Sequence, residues 1–275
     1  MTDNLQPMMM APRALANGWT ALPAWLPVPE MGGLPVNCFV LDGPEPVLVD
    51  TGLAPLGDAF LRHLSAAIDP ARLRWIWLSH MDFDHIGNLQ AVLAAAPNAV
   101  IVTNFLGMGK MQLAGMAVDR VHLLAPGARL RVGGQDFVPL RPPYYDAPET
   151  MGFVTTGDGA LFVGDCLGAL LPKPVVDLAE IGDRDLAEGL SVWSSIDAPW
   201  IAGWEEGSLD GAFSALAGLG ANTLLTSHLP PAGENASSLI TRLSRTARFG
   251  QGVGDDPLTV GAVAAALNHE ATLVT

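Results

Sequence analysis

Short apolar runs, each followed by turn-forming residues, recur along the first half of the chain. This pattern predicts buried strands at residues 36–41, 47–49, 74–78 and 100–102. Apolar residues recur at helical spacing between positions 56 and 68, and a second apolar stretch, residues 86–96, is followed by Pro97. These stretches predict helices between the strands.

The second half of the chain alternates in the same way and adds hairpin turns. Gly133-Gly134 and residues 157–159 each separate two strand-like runs. Helices are predicted at residues 213–219 and 258–267, and a strand at residues 223–226. Two β-sheets packed face to face with helices outside, an α+β arrangement, would suit this alternation, which periodicity alone does not specify.

We expect the 275 residues to form a single domain, with residues 1–35, rich in Pro and Met, as an N-terminal segment that wraps the surface. Hydrophobic residues make up 49% of the chain, enough for a sizeable core. No uninterrupted apolar run reaches the roughly 20 residues that span a bilayer, and the N-terminus does not resemble a secretory signal. With two cysteines, a disulfide framework is not expected, and the cytoplasm is the default location.

The chain is strongly acidic, with a formal net charge of −14. Such a surface repels phosphate backbones, so nucleic acid is not an expected partner. The charge favours a neutral or cationic small molecule as substrate or ligand. It would also suit a basic electron-transfer protein, although charge alone does not identify one.

One segment concentrates residues that bind metals. Residues 79–88 follow a predicted strand and precede a predicted helix, and four potential ligands fall within six positions: His80, Asp82, Asp84 and His85. A loop in that position can turn several side chains toward one point. Imidazole and carboxylate are the usual ligands of zinc, iron and manganese, and a carboxylate can bridge two ions.

This segment resembles the His-x-His-x-Asp-His signature of the metallo-β-lactamase superfamily, with Asp82 in place of the second histidine. A carboxylate at that position is similar to the flavodiiron and oxygen-binding di-iron branch, which reads His-x-Glu-x-Asp-His. The resemblance implies an αββα sandwich with a dinuclear metal site. Residues 37–41 and 47–52 look like the family's opening strand pair, which ends in Asp-Thr-Gly.

Three later segments extend the resemblance in the family's order. Residues 143–151 look like a segment of the di-iron branch in which Asp146 occupies the position of a histidine ligand. Residues 161–165 resemble the strand with the bridging aspartate, and residues 226–228 the strand end with the last histidine. The resemblance implies one metal on His80, Asp82 and Asp146, a second on Asp84, His85 and His228, and a bridge through Asp165.

The ligand set implied by the resemblance has four carboxylates and three imidazoles. That balance favours iron, or else manganese, over zinc as the two metal ions of the chain. Because Asp146 departs from the family pattern, a related fold that has lost its metals stays open as an alternative. We expect Asp50 to support the ligands rather than to bind metal, and Tyr145 to line the entrance to the site.

Three functions are compatible with these residues. The first, implied by the resemblance, is a di-iron protein that binds or reduces dioxygen or nitric oxide. Since 275 residues leave no room for a flavodoxin-like domain, we expect its electrons to come from a separate protein. The second is a hydrolase of lactones, thioesters or phosphoesters, in which Asp84 would orient a metal-bound hydroxide. The third is a non-catalytic binding protein, and a homo-oligomer is compatible with all three.

Overall fold

The computed structural model describes residues 6–251 except residues 126 and 206, so the helix predicted at residues 258–267 lies outside the described residues. The strands of the described residues are β1 (Met8–Met9), β2 (Arg13–Ala14), β3 (Trp19–Val28), β4 (Gly32–Leu41), β5 (Val47–Val49), β6 (Trp75–Trp77), β7 (Val100–Thr103), β8 (Val121–Leu123), β9 (Leu130–Val132), β10 (Gln135–Leu140), β11 (Gly152–Thr155), β12 (Ala160–Phe162) and β13 (Thr223–Leu225). The α-helices are α1 (Gly57–Ala67), α2 (Phe83–Ile86), α3 (Leu89–Ala95), α4 (Phe105–Leu113), α5 (Asp183–Asp197), α6 (Ser208–Ala217) and α7 (Ala236–Thr246).

The strands form two mixed sheets. The first has the order β1-β3-β4-β5-β6-β7-β8, with β2 also paired to β3, and the second has the order β13-β12-β11-β10-β9. Strands β5 to β8 are parallel neighbours, connected through helices, and β12 and β13 are parallel as well. The carboxyl ends of these parallel strands therefore point toward one edge of each sheet.

Three apolar layers hold the sheets and helices together. Side chains alternate along each strand, so Trp77 enters the layer between the sheets while its neighbour Ile76 packs under α1 and α3. An aromatic cluster that includes Phe137, Phe153 and Phe162 fills the layer between the sheets. A third layer lies between the second sheet and helices α5 to α7. The predicted αββα sandwich is confirmed.

The N-terminal segment differs from the prediction. Residues 19–28 form β3 inside the first sheet, and Trp19 and Ala21 are fully buried. Pro23 and Pro27 made these residues look unsuited to a strand, since proline cannot donate to the ladder. Pro23 lies between the stretches of β3 that pair with β1 and β2, so its missing N–H leaves no ladder bond unmade. Residues 19–35 are therefore part of the sheet rather than a surface wrapping.

The helix predicted at residues 86–96 is divided by the loop that supports the metal-binding segment. The interruption falls at Gly87 and Asn88, and position 87 requires glycine because a Cβ there would meet the Gly52 carbonyl oxygen at 2.4 Å and the Ala54 nitrogen at 2.3 Å. The Asn88 amide then donates to the carbonyl oxygens of Thr51 and Leu53. The close approach and the two hydrogen bonds fix α2 against the end of β5. Among the described residues, no helix combines the length and apolar character needed to cross a bilayer.

Candidate metal centre

The seven predicted ligands come together where strands of both sheets end. The chain leaves β6 through Ser79 to reach His80, and α2 then presents Asp84 and His85. The chain leaves β12 to reach Asp165 and leaves β13 to reach His228. The two sheets are joined at this edge by the buried Asn37 amide, which donates to the carbonyl oxygens of Thr226 and Leu229.

Asp165 lies at the centre of the group. Its Oδ1 is 3.2 Å from Nε2 of both His85 and His228, and its Oδ2 is 3.4 Å from Nε2 of His80. Asp84 Oδ2 lies 3.6 Å from His85 Nε2 and 3.5 Å from His228 Nε2. Ligand bonds of about 2.0–2.2 Å place the donor atoms around one ion roughly 3–4 Å apart, which these distances match.

The donor atoms also divide into two sets. In each set the ligand atoms lie within 4.8 Å of one another, and the sets are His80, Asp82, Asp146 and Asp84, His85, His228. These are the two triads that the sequence resemblance implies. Asp165 joins a further such group with His80 and His85. The arrangement suits two ions with a carboxylate between them.

Each imidazole makes a second contact that leaves its Nε2 directed at the centre. His228 Nδ1 lies 2.7 Å from the Pro35 carbonyl oxygen, which can only accept, so Nδ1 carries the proton. His85 Nδ1 lies 2.9 Å from Asp50 Oδ2. His80 Nδ1 lies 3.0 Å from the Ser79 hydroxyl. Outer contacts of this kind orient histidines for metal binding.

Asp50 anchors this network from full burial. Its Oδ1 accepts from the Ser79 backbone N–H at 2.8 Å, and its Oδ2 accepts from the Ser79 hydroxyl at 2.7 Å as well as facing His85. The residue has a φ of +57°, a left-handed conformation that is rare outside glycine. Asp50 therefore supports the ligands, as the sequence predicted. It contacts His85 directly and His80 through the Ser79 hydroxyl.

Several buried polar atoms at the centre lack hydrogen-bond partners within the described residues. They are Nε2 of His80, His85 and His228 and Oδ1 of Asp165. Burying such groups unpaired costs free energy, so convergent unpaired donors indicate a ligand. Nitrogen and carboxylate oxygen donors at these separations fit metal cations.

Without cations, the pKa values of two groups at the site, His228 and Asp165, lie far from their ordinary values. Burial opposes charge on His228, but the carboxylates of Asp165 and Asp84 outweigh it and raise its pKa to about 9. Burial likewise opposes charge on Asp165, but His85, His228 and His80 hold its pKa well below the usual range. The Asp165 carboxylate is thus ionised, and a metal that binds His228 near neutral pH must displace a proton from it.

Sequence reasoning missed one carboxylate. Asp197, the last residue of α5, places an oxygen within 4.8 Å of oxygens of Asp146 and Asp165. Burial, followed by repulsion from Asp165 and Asp146, raises the pKa of Asp197 to about 8. No local motif marks this residue, since it lies 31 positions from the nearest predicted ligand along the chain. Only the path of α5 across the second sheet brings it to the site.

The aromatic residues near the site divide into two kinds. Tyr144 is fully buried, and its hydroxyl accepts from the Leu167 N–H, so it packs in the core. The Tyr145 ring lies 5.4 Å from Trp200, which donates to the Tyr145 carbonyl oxygen, and under the Arg141 guanidinium. Its place at the entrance stays a prediction.

One tryptophan contacts the candidate ligands directly. The Trp193 indole N–H donates to the Asp165 carbonyl oxygen at 3.2 Å, and its ring centroid lies 4.9 Å from that of His228. This indole thus supports the backbone of the central carboxylate and one face of an imidazole.

Residues 31–228 match the model of the metallo-β-lactamase superfamily, a range that includes every predicted ligand. The chain belongs to this superfamily. Its relatives within it include the flavo-diiron protein FprA2 of Clostridium acetobutylicum, 23% identical over 52% of this chain and 36% of that protein. Another is the anaerobic nitric oxide reductase flavorubredoxin of Pectobacterium atrosepticum, 25% identical over 50% of this chain and 27% of that protein.

Among solved structures, rubredoxin oxygen:oxidoreductase of Desulfovibrio gigas superposes with a TM-score of 0.73 at 17% identity, over 86% of this chain and 60% of that chain. The predicted resemblance to the flavodiiron branch is confirmed. The chain matches about a third of the length of these curated relatives.

Proposed function

We propose that the chain binds two metal ions, iron by preference, and binds or reduces dioxygen or nitric oxide with electrons from a separate protein. The single observation that supports this most strongly is the convergence of three unpaired buried imidazole nitrogens on Asp165, with one triad on each side. The similar proteins include a nitric oxide reductase and a rubredoxin oxygen:oxidoreductase, and these support the choice of gas.

The side chains themselves would do three things. Asp165 would span the two ions, because its two oxygens face different imidazoles. Asp82 and Asp146 would give the first ion two oxygen donors beside the His80 nitrogen, a hard set that favours iron or manganese over zinc. Bound iron would supply the one-electron chemistry that none of these side chains has.

The Asp84 carboxylate supports a second candidate function. Its side chain keeps 23% of its surface exposed while its Oδ2 faces both His85 and His228. A carboxylate in that position could hold a water at the second ion and accept its proton, as ester hydrolysis requires. A metal-dependent hydrolase of lactones, thioesters or phosphoesters is therefore the alternative.

Anaerobic reconstitution with ferrous iron separates the two candidates. The first predicts two irons per chain, an absorption change on exposure to oxygen or nitric oxide, and turnover only with an added electron donor. The hydrolase predicts donor-independent ester cleavage that is lost in Asp84→Ala. Steady ester turnover with no spectral response to either gas would replace the first candidate with the second.

Other parts of the prediction are tested separately. A cytoplasmic location and a homo-oligomeric state stay predictions, which fractionation and light scattering would check. Iron preference is tested by metal analysis of protein from its native host. Stoichiometric zinc that resists exchange by iron would contradict it.

A further inference from the structure

The end of helix α5 places an acidic residue where an isolated helix would disfavour one. Asp197 is the last residue of α5, and the C-terminal end of a helix carries partial negative charge. Two other acidic residues of α5, Asp183 and Asp185, lie in its first turn, where they are favourable. The position of Asp197 is therefore costly unless a positive charge lies nearby.

Two other carboxylates lie close to Asp197. An oxygen of Asp197 lies within 4.8 Å of oxygens of Asp146 and Asp165, and Asp165 is only 4% exposed. Asp197 Oδ2 is itself buried with no hydrogen-bond partner within the described residues, as is Asp165 Oδ1. Like charges at this separation repel strongly away from water. Three carboxylates so arranged require a cation between them or protons upon them.

Unpaired nitrogen atoms beside the trio favour the cation. His80 Nε2, fully buried and without a hydrogen-bond partner in the described chain, lies 3.8 Å from Asp146 Oδ2 and 3.4 Å from Asp165 Oδ2. A shared proton would satisfy the carboxylates but would leave this nitrogen unpaired. A metal ion satisfies both, since neutral imidazole and carboxylate are joint ligands of iron and manganese.

We propose that Asp197 is an eighth protein ligand, which completes the coordination of the ion held by His80, Asp82 and Asp146. The inference rests on the proposed two-metal function and adds a residue from a helix outside the motif segments. By resemblance, the related branch has a histidine at the position of Asp146. The shorter Asp146 side chain would fill that ligand position incompletely, and an oxygen donor from α5 would complete it.

The test measures metal binding by the whole chain with manganese and ferrous iron, using competition with a chromogenic chelator. We expect Asp197→Ala to weaken one of two sites by at least about tenfold and to change the other by less than about twofold. The weakened site should be the one that is lost in Asp82→Ala. The matched control is Asp185→Ala, which removes an exposed carboxylate from the same helix.

A second measurement separates a ligand from a structural residue. Because Asp197 is held against like charges, Asp197→Asn should raise the thermal midpoint of the metal-free protein while lowering the midpoint gained on adding manganese. A structural residue would instead lower the metal-free midpoint and weaken both sites equally, which would overturn the inference. Two intact sites in both Asp197 variants would overturn it and leave the proposed function standing. A wild-type chain that binds fewer than two ions would overturn both.

Discussion

Asp50 offers the sharpest test of how the site is built, because it contacts ligands without facing the metal positions. Its carboxylate can only accept hydrogen bonds, so the proton of His85 must be on Nδ1, and Nε2 is left with a free lone pair. Asp50→Asn keeps the size of the side chain and can keep its acceptor toward the Ser79 backbone N–H. The amide nitrogen, however, then faces His85 Nδ1 and donates to it.

That donation reverses the tautomer of the imidazole. The proton moves to His85 Nε2, the atom 3.2 Å from Asp165 Oδ1, and the ring can no longer bind a metal without rotating or losing the proton. Changes in such outer contacts typically cost about 10–100-fold in metal affinity, or about 1.4–2.7 kcal/mol. We expect a loss in this range at the site that contains His85.

The second site should respond less, because Asp50 reaches His80 only through the Ser79 hydroxyl. Chelator competition with manganese, which resolves the two affinities, measures both effects. Asp119→Asn, on the exposed surface, is the control for loss of one negative charge. If Asp50→Asn bound both ions within about twofold of wild type, the tautomer argument would be wrong.

Three further predictions follow from the same geometry. Asp165→Ala should weaken both sites together, so that metal analysis after gel filtration gives fewer than two ions per chain. Since burial lowers the pKa of His228 but Asp165 and Asp84 raise it to about 9, metal must displace a proton at neutral pH. The apparent affinity should rise with pH by up to about tenfold per unit and level off near pH 9, and a flat profile between pH 6 and 9 would count against proton displacement at this histidine. Phe153→Ala removes a ring whose centroid lies 4.8 Å from that of Phe137 and 4.9 Å from that of Trp77. It should lower the free energy of unfolding, measured in urea, by about 3–5 kcal/mol, and a loss below about 1 kcal/mol would contradict tight packing there.

Site residues were predictable from the sequence where a local motif identifies them. His80 to His85 lie within six positions after an apolar strand, and the structure gathers them as the pattern indicates. Asp165 and His228 each follow a strand of the second sheet, and the order of the segments that resemble the family pointed to them. Asp197 has no such mark, because an acidic residue in an amphipathic helix usually faces solvent. Its position depends on helix packing, which no local pattern encodes.

Most of the fold was predictable for a similar reason, but the prediction missed one strand. Short apolar runs predicted the strands that are buried on both faces, and β4 to β7 form the centre of the first sheet. The Pro-rich residues 19–28 lacked that signal, since proline is rare in paired strands. They nevertheless pair with β4 over ten residues, because the burial of Trp19 and its neighbours outweighs the weak local preference. Tertiary packing, not local sequence, determined this strand.

The resemblance puts Asp146 at the position of a histidine in the di-iron branch, and this gives a last prediction, on the coupling between Asp146 and Asp197. Asp146→His restores the imidazole that the di-iron branch has at this position and removes one carboxylate from the trio with Asp165 and Asp197. Zinc should then gain affinity relative to manganese by about tenfold or more at the first site, since imidazole suits zinc better than carboxylate does. In this background Asp197→Asn relieves less repulsion, so its stabilisation of the metal-free protein should shrink. Urea unfolding of the two single variants and the double variant measures this coupling, expected at about 0.5–3 kcal/mol for groups in contact. Free energies that add within about 0.5 kcal/mol would mean that the two carboxylates do not interact, and the case for a shared cation between them would fail with that result.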